Sequence, residues 1–254
     1  MILLRILLTN DDGIHGAGLW ALAEEIKRRG HEVIIAAPFN QQSGMSHALT
    51  FMREIEYRRF DEPDYVAWTF DGTPTDCVKI YLEGMSNGDK FDAVISGIND
   101  GANLATDVLY SGTVGAALEG FLHDIASLAV SRDKSSVIPF QTCAATTIDY
   151  LEKLLALKPE PFLHNINFPK TFRADKLEFI STRLGRRDYI NAFTSRIDDK
   201  GRAYFRIGGT IYDLDADEGT DIYATERGFV SVTPLHCDAA DYEAIVELRK
   251  IFRG

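Results

Sequence analysis

One pattern constrains this chain more than any other. Over its first 130 residues, short apolar runs rich in β-formers alternate with stretches of helical periodicity. A strand buried on both faces reads as a continuous apolar run, and its alternation with helices marks a parallel sheet covered on both sides. Ile2–Thr9 reads as the first such strand. Leu19, Leu22, Ala23 and Ile26 then repeat at helical spacing between Gly18 and Arg29, and Gly30 supplies the stop. Further strands are expected at His31–Ala37, Tyr65–Phe70, Phe91–Ser96, Ile125–Val130, Phe162–Phe168 and Phe229–Thr233. Helices are expected from Thr73-Pro74, at Thr113–Leu122, Phe140–Leu157 and Ala239–Ile251. The fold class that follows is α/β, a doubly wound, mostly parallel Rossmann-like sheet.

The second half departs from this rhythm. Lys158-Pro159-Glu160-Pro161 punctuates the chain, and beyond Thr182 the pattern becomes hairpin-like, with Tyr189–Arg196 and Arg202–Ile207 flanking Asp198-Asp199-Lys200-Gly201. The expected organisation is a Rossmann-like core over 1–182, followed over 183–254 by a hairpin arm, a last strand and a terminal helix of the same structural domain. A formal net charge of −11 argues against a chain-wide surface for nucleic-acid polymers or anionic membranes. The longest apolar run, Ile2–Leu8, is interrupted by Arg5 and falls well short of the roughly 20 residues that span a bilayer. It lacks the basic start and cleavage site of a secretory leader. Cys77, Cys143 and Cys237 are widely spaced with no Cys-x-x-Cys pair, as expected of buried thiols in a reducing cytoplasm.

Four polar segments fall at the carboxyl ends of the expected strands, the edge at which open α/β sheets bind ligands. Thr9-Asn10-Asp11-Asp12-Gly13 places two carboxylates side by side; their repulsion calls for a cation, an Arg or a proton, unless the segment is only an Asx turn capping the next helix. Pro38-Phe39-Asn40-Gln41-Gln42-Ser43-Gly44 offers the Ser43 hydroxyl at the same edge, or is an ordinary polar loop. Ser96-Gly97-Ile98-Asn99-Asp100-Gly101-Ala102-Asn103 supplies amide oxygens, Asn99 as a metal ligand and Asn103 as a contact for an anion. Tyr110-Ser111-Gly112-Thr113-Val114 opens a helix, whose free N–H groups and positive dipole end suit a phosphate as well as they suit a simple cap. No Gly-Lys-Ser/Thr follows, so this is not a nucleoside-triphosphate loop.

Taken in order, Leu7–Gly13, Gln42–Gly44, Gly72–Val78, Ser96–Asn99, Tyr110–Val114 and the late Gly228–Leu235 resemble the SurE (survival protein E) 5′-nucleotidases over nearly the whole chain. The resemblance implies a metal-dependent phosphomonoesterase that hydrolyses nucleoside 5′-monophosphates to nucleoside and phosphate, with 3′-nucleotides and polyphosphate as further substrates. It places the metal ligands, for magnesium or manganese, on Asp11, Asp12, Ser43 and Asn99, with Asp11 and Asp12 also catalytic. Asn103, Ser111, Gly112 and Thr113 would hold the phosphate. It also implies a cytoplasmic homo-oligomer, a dimer or a tetramer, with the arm and terminal helix exchanged between subunits. His15 and His47 lie in the same loops, as proton donors to the leaving alkoxide or as plain loop residues, and Tyr110 could stack on a base. The competing reading is a nonenzymatic nucleotide sensor that binds through the same helix N-terminus and needs no metal.

Overall fold

A computed structural model describes residues 3–157, 160–173 and 177–252, so Ile2 of the first expected strand and Lys158-Pro159 of the expected break lie outside the described residues. The chain runs through β1 (Arg5–Thr9), α1 (Ala17–Arg28), β2 (Glu32–Pro38), β3 (Tyr57–Arg59), β4 (Val66–Phe70) and α2 (Pro74–Lys79), which continues as a π-helical turn at Ile80–Met85. Next come β5 (Ala93–Asp100), a 3-10 helix at Ala105–Tyr110, α3 (Gly112–Leu122), β6 (Ala126–Arg132), α4 (Phe140–Leu157) and β7 (Leu163–Phe168). They are followed by β8 (Phe179–Ser181), the arm strands β9 (Arg186–Ile190), β10 (Phe193–Ile197), β11 (Ala203–Ile207) and β12 (Thr210–Asp215), then α5 (Asp221–Glu226), β13 (Val230–Pro234) and α6 (Tyr242–Phe252).

The main sheet has the order β3-β4-β2-β1-β5-β6-β7-β13-β8. The pairs from β4 across to β7 are parallel, while β3 and β13 join antiparallel. The fold class is therefore the expected one. β1 pairs with β2 on one side and β5 on the other, so strand order reverses there and the loops leaving β1 and β5 part to form a crevice. One face of the sheet packs Ile6, Leu8, Ile35, Ile95 and Leu128 under Leu19, Leu22 and Ile26 of α1 and Ile148 and Leu151 of α4. The other packs Leu7, Ile34, Phe70 and Val94 under Cys77, Val78 and Ala116 of α2 and α3. α2 starts at a capping box, in which Thr73 and Asp76 satisfy each other's backbone N–H groups.

The arm differs from the expected single hairpin. The run Tyr189–Arg196 is broken: β9 pairs with β12, and β10 pairs with β11 in a separate ribbon. The break falls at Asn191, which has a left-handed φ of 54°, opposite Gly209 at φ 115°. Phe193, Ile197, Phe205 and Ile207 of the outer ribbon are exposed, and α6 has no buried residue. The arm's base is pinned to the core by the buried Asp221 carboxylate, which accepts the N–H groups of Ala105 and Gly185 at 2.7 and 2.9 Å.

Candidate active site

β1 ends beneath the crevice, and its last turn is fastened before any function is considered. Asn10 donates its amide Nδ2 to the Gly13 carbonyl at 2.9 Å, and the Gln42 N–H donates to the Asp11 carbonyl at 2.7 Å. The second bond ties the loop after β1 to the loop after β2. Asp11 is only 5% exposed, and its Oδ1 accepts the Thr113 hydroxyl of α3 at 2.6 Å. Burial pushes this carboxyl up to about 6; the neighbouring Asp12 charge adds to the rise, and the Thr113 bond opposes it. Asp12 is half-buried and is also raised, by burial first. Its Oδ1 lies 3.3 Å from Gln41 Nε2, and its Oδ2 lies 3.3 Å from the Asp100 N–H.

Gln41 Nε2 also donates to Ser43 Oγ at 3.0 Å, so one amide spans Asp12 and Ser43. Asn99 donates Nδ2 to the Gly101 carbonyl at 2.6 Å, which leaves its amide oxygen as the ligand-capable atom. Asp11, Asp12, Ser43 and the Asn99-Asp100 end of β5 are thus gathered at one mouth. Among the described residues neither aspartate is ion-paired with Lys or Arg, and the nearby Arg132 is taken by Asp100 at 2.9 Å. A pair of like charges, one buried and one half-buried, with no cationic side chain against it suits a hard divalent cation.

The four expected phosphate contacts divide. Ser111 caps α3, its hydroxyl accepting the Val114 N–H at 3.2 Å. Gly112 starts the helix so close to β1 that a Cβ there would lie 3.2 Å from both Asp11 Cβ and Pro74 Cγ. Thr113 gives its hydroxyl to Asp11, so it orients a carboxylate as well as opening the helix. Asn103 faces inward: its Nδ2 donates to Ser131 Oγ at 2.8 Å, and its backbone is held by the side chains of Asn165 and Asn167. Asn103 buttresses Thr113, 3.5 Å away.

Of the two loop histidines, His15 is exposed and packs edge-on to Phe60, whereas His47 Nε2 lies 2.7 Å from Glu119 Oε2. Tyr110 is exposed. A second acidic group, Glu83, Glu119 and His123, lies away from the crevice and is already bridged by Lys79, at 2.7 Å from Glu83 and 3.1 Å from Glu119. Sequence reasoning missed Gln41, Ser131, Asn165 and Asn167. The two asparagines stood in plain view, two residues apart within the apolar strand Phe162–Phe168, where an amide must find a buried partner.

Comparison with known proteins shows which family the fold and sequence resemble. A family model described as Survival protein SurE matches residues 6–191. The 5′-nucleotidase SurE of Heliobacterium modesticaldum is 42% identical over 249 residues, covering 96% of this chain and 90% of that protein. The 5′-nucleotidase SurE of Synechococcus is 40% identical over 253 residues, covering 97% of each. The crystal structure of the SurE protein from Aquifex aeolicus superposes with a TM-score of 0.81 at 36% identity, covering 97% of this chain and 99% of that one.

Proposed function

The chain belongs to the SurE family and is a 5′-nucleotidase, and from that premise we propose that Asp11, Asp12, Ser43 and Asn99 hold a divalent cation, magnesium or manganese, in the crevice beyond β1. The observation that carries this reading is the unneutralised pair Asp11-Asp12, the first buried and the second half-buried, at the reversal point of the sheet beside the N-terminus of α3. A cation held by these residues would balance the two carboxylates and would supply positive charge for the phosphoryl oxygens.

The chain's own groups do the rest. The N–H groups at the start of α3 receive the phosphate oxygens at the positive end of the helix dipole, with the Ser111 hydroxyl beside them. Thr113 locks Asp11 in one orientation. Asp12, held only by two 3.3 Å contacts, is the carboxylate free to take a proton from the attacking water. Water oxygen then bonds to phosphorus, the bond to the 5′ oxygen breaks, and the alkoxide is protonated from solvent. The same crevice would accept 3′-nucleotides and polyphosphate, whose terminal phosphates present the same oxygens.

The exposed apolar residues of the arm and α6 support a dimer or tetramer in which 183–254 pairs between subunits, against a catalytic core of 1–182. Among the described residues no helix is long and apolar enough to cross a membrane; a cytoplasmic location is part of the proposal.

The test is phosphate release from adenosine and guanosine monophosphates by chelator-stripped protein, with magnesium, manganese or nothing added back, alongside Asp12→Asn. Release that needs both metal and Asp12 is the expected result. Full turnover by folded Asp12→Asn would remove the role given to that residue. Nucleotide binding without turnover under any metal would make the protein a sensor.

A further inference from the structure

The loop from Gln42 to His47, which carries Ser43, lies along one stripe of α3. Gly112, Gly115 and Glu119 stand at positions i, i+3 and i+7, and so share a face of the helix. At the first, a Cβ would lie 3.3 Å from the Gln42 carbonyl; at the second, one would fall 2.2 Å from the Ser46 carbonyl. At the third the helix bears a charge, and the Glu119 side chain, only 3% exposed, accepts His47 Nε2 at 2.7 Å and Lys79 Nζ at 3.1 Å. Burial alone would raise this carboxyl, but His47 and Lys79 outweigh it and hold it below its usual range. His123 Nδ1 stands 3.8 Å away, and Glu83 lies beyond Lys79, so Glu119 is the buried hub of the cluster. Ser46 adds two bonds, its N–H to the Tyr110 carbonyl at 3.0 Å and its hydroxyl to the Leu109 carbonyl at 2.7 Å.

From this geometry we propose that Glu119 is a positioning residue for the metal site: through His47 it clamps the Ser43 loop onto the helix whose first turn fixes Asp11. α3 then sets the spacing between two ligands that come from different strands. Thr113 holds the Asp11 carboxylate at one end, and Glu119 holds the chain four residues beyond Ser43 at the other. A buried, charge-assisted bond is the kind of outer support whose loss loosens a metal site without touching a ligand. This inference rests on the metal reading above and adds a residue on α3, six positions beyond Thr113, that is not itself a proposed ligand.

The experiment measures manganese binding to stripped protein by calorimetry and by the electron paramagnetic resonance of the bound ion, with no substrate present. The proteins are wild type, Glu119→Gln, His47→Ala, the double variant and Asp12→Asn. Glu119→Gln and His47→Ala should each weaken manganese binding by about tenfold and broaden the resonance. The double variant should be no weaker than His47→Ala, because without His47 the Glu119 charge has no link to the Ser43 loop to strengthen. Lys79→Ala, which leaves the Glu119–His47 bond in place, should bind manganese as wild type does. Wild-type affinity in folded Glu119→Gln and His47→Ala would overturn the proposal while leaving the metal site standing, and so would strictly additive losses. If Glu119→Gln does not fold, His47→Ala decides by the same criterion. A wild type that binds no manganese, like Asp12→Asn, removes the metal reading and this inference with it.

Discussion

Asp11 offers the sharpest test of the electrostatics, because its burial has a cost that can be measured without substrate. Its carboxyl is lifted from an ordinary 3.8 to about 6 in the folded protein. At about 1.36 kcal/mol per decade, holding it ionised costs the metal-free fold about 3 kcal/mol. The folded state binds the proton more tightly than the unfolded one does. Below pH 4 both states are therefore protonated and no penalty exists; it grows as pH rises and is complete above about 6. Asp11→Asn keeps the shape and can still accept the Thr113 hydroxyl, but it removes the charge. In chelator, the variant should melt close to wild type at pH 4 and roughly 5–10 °C above it at pH 8. Titrations of groups remote from Asp11 cancel in that difference. Saturating manganese should reverse the order, since only the wild type then gains from binding. A gap that is the same at both pH values, or no gap at pH 8, would refute the assignment of the cost to a buried Asp11 charge.

Two further substitutions probe the site from its neighbours. Thr113→Val removes the 2.6 Å bond to Asp11 while keeping the volume, and should lower both kcat and manganese affinity by about ten- to a hundredfold in steady-state and calorimetric assays. Gly112→Ala puts a methyl 3.2 Å from Asp11 Cβ, tighter than ordinary contact; it should cut phosphate release several-fold, with a melting temperature within a few degrees of wild type.

The sequence was most legible where the sheet is buried on both faces. β1, β2, β4, β5, β6, β7 and β13 all lie within or beside expected strands, because Val, Ile and Leu must fill both sides there. β3 and β8, three residues each at the sheet margins, have no room for a period and were not foreseen; nor was α5, of six residues. β5 outruns its expected end at Ser96 because the ladder to β6 resumes after a bulge, pairing Asn99 with Ser131 and Asp100 with Arg132. The polar loop expected from Gly97 is therefore strand for its first residues. In the site, loop membership was readable and orientation was not. Asn103 and Thr113 were both expected to face a phosphate, but the groups that claim them, Ser131 and Asp11, lie 28 and 102 residues away in sequence. Only the folded sheet brings those partners within a bond.

These bonds explain how the fold tolerates what it holds. Two adjacent carboxylates in a crevice destabilise the metal-free protein, so the surroundings must keep them in place by neutral bonds that do not discharge them. Thr113, the Asp100 N–H and Gln41 do this, whereas Arg132 pairs with the Asp100 carboxylate. Had Arg132 paired with Asp12, the site would be more stable and would have no need of a cation. A ligand that binds only the folded state, at a hundred times its Kd, contributes about 2.7 kcal/mol. That is close to the cost worked out for Asp11, so a cation held at the proposed site would recover about what the buried charge gives up.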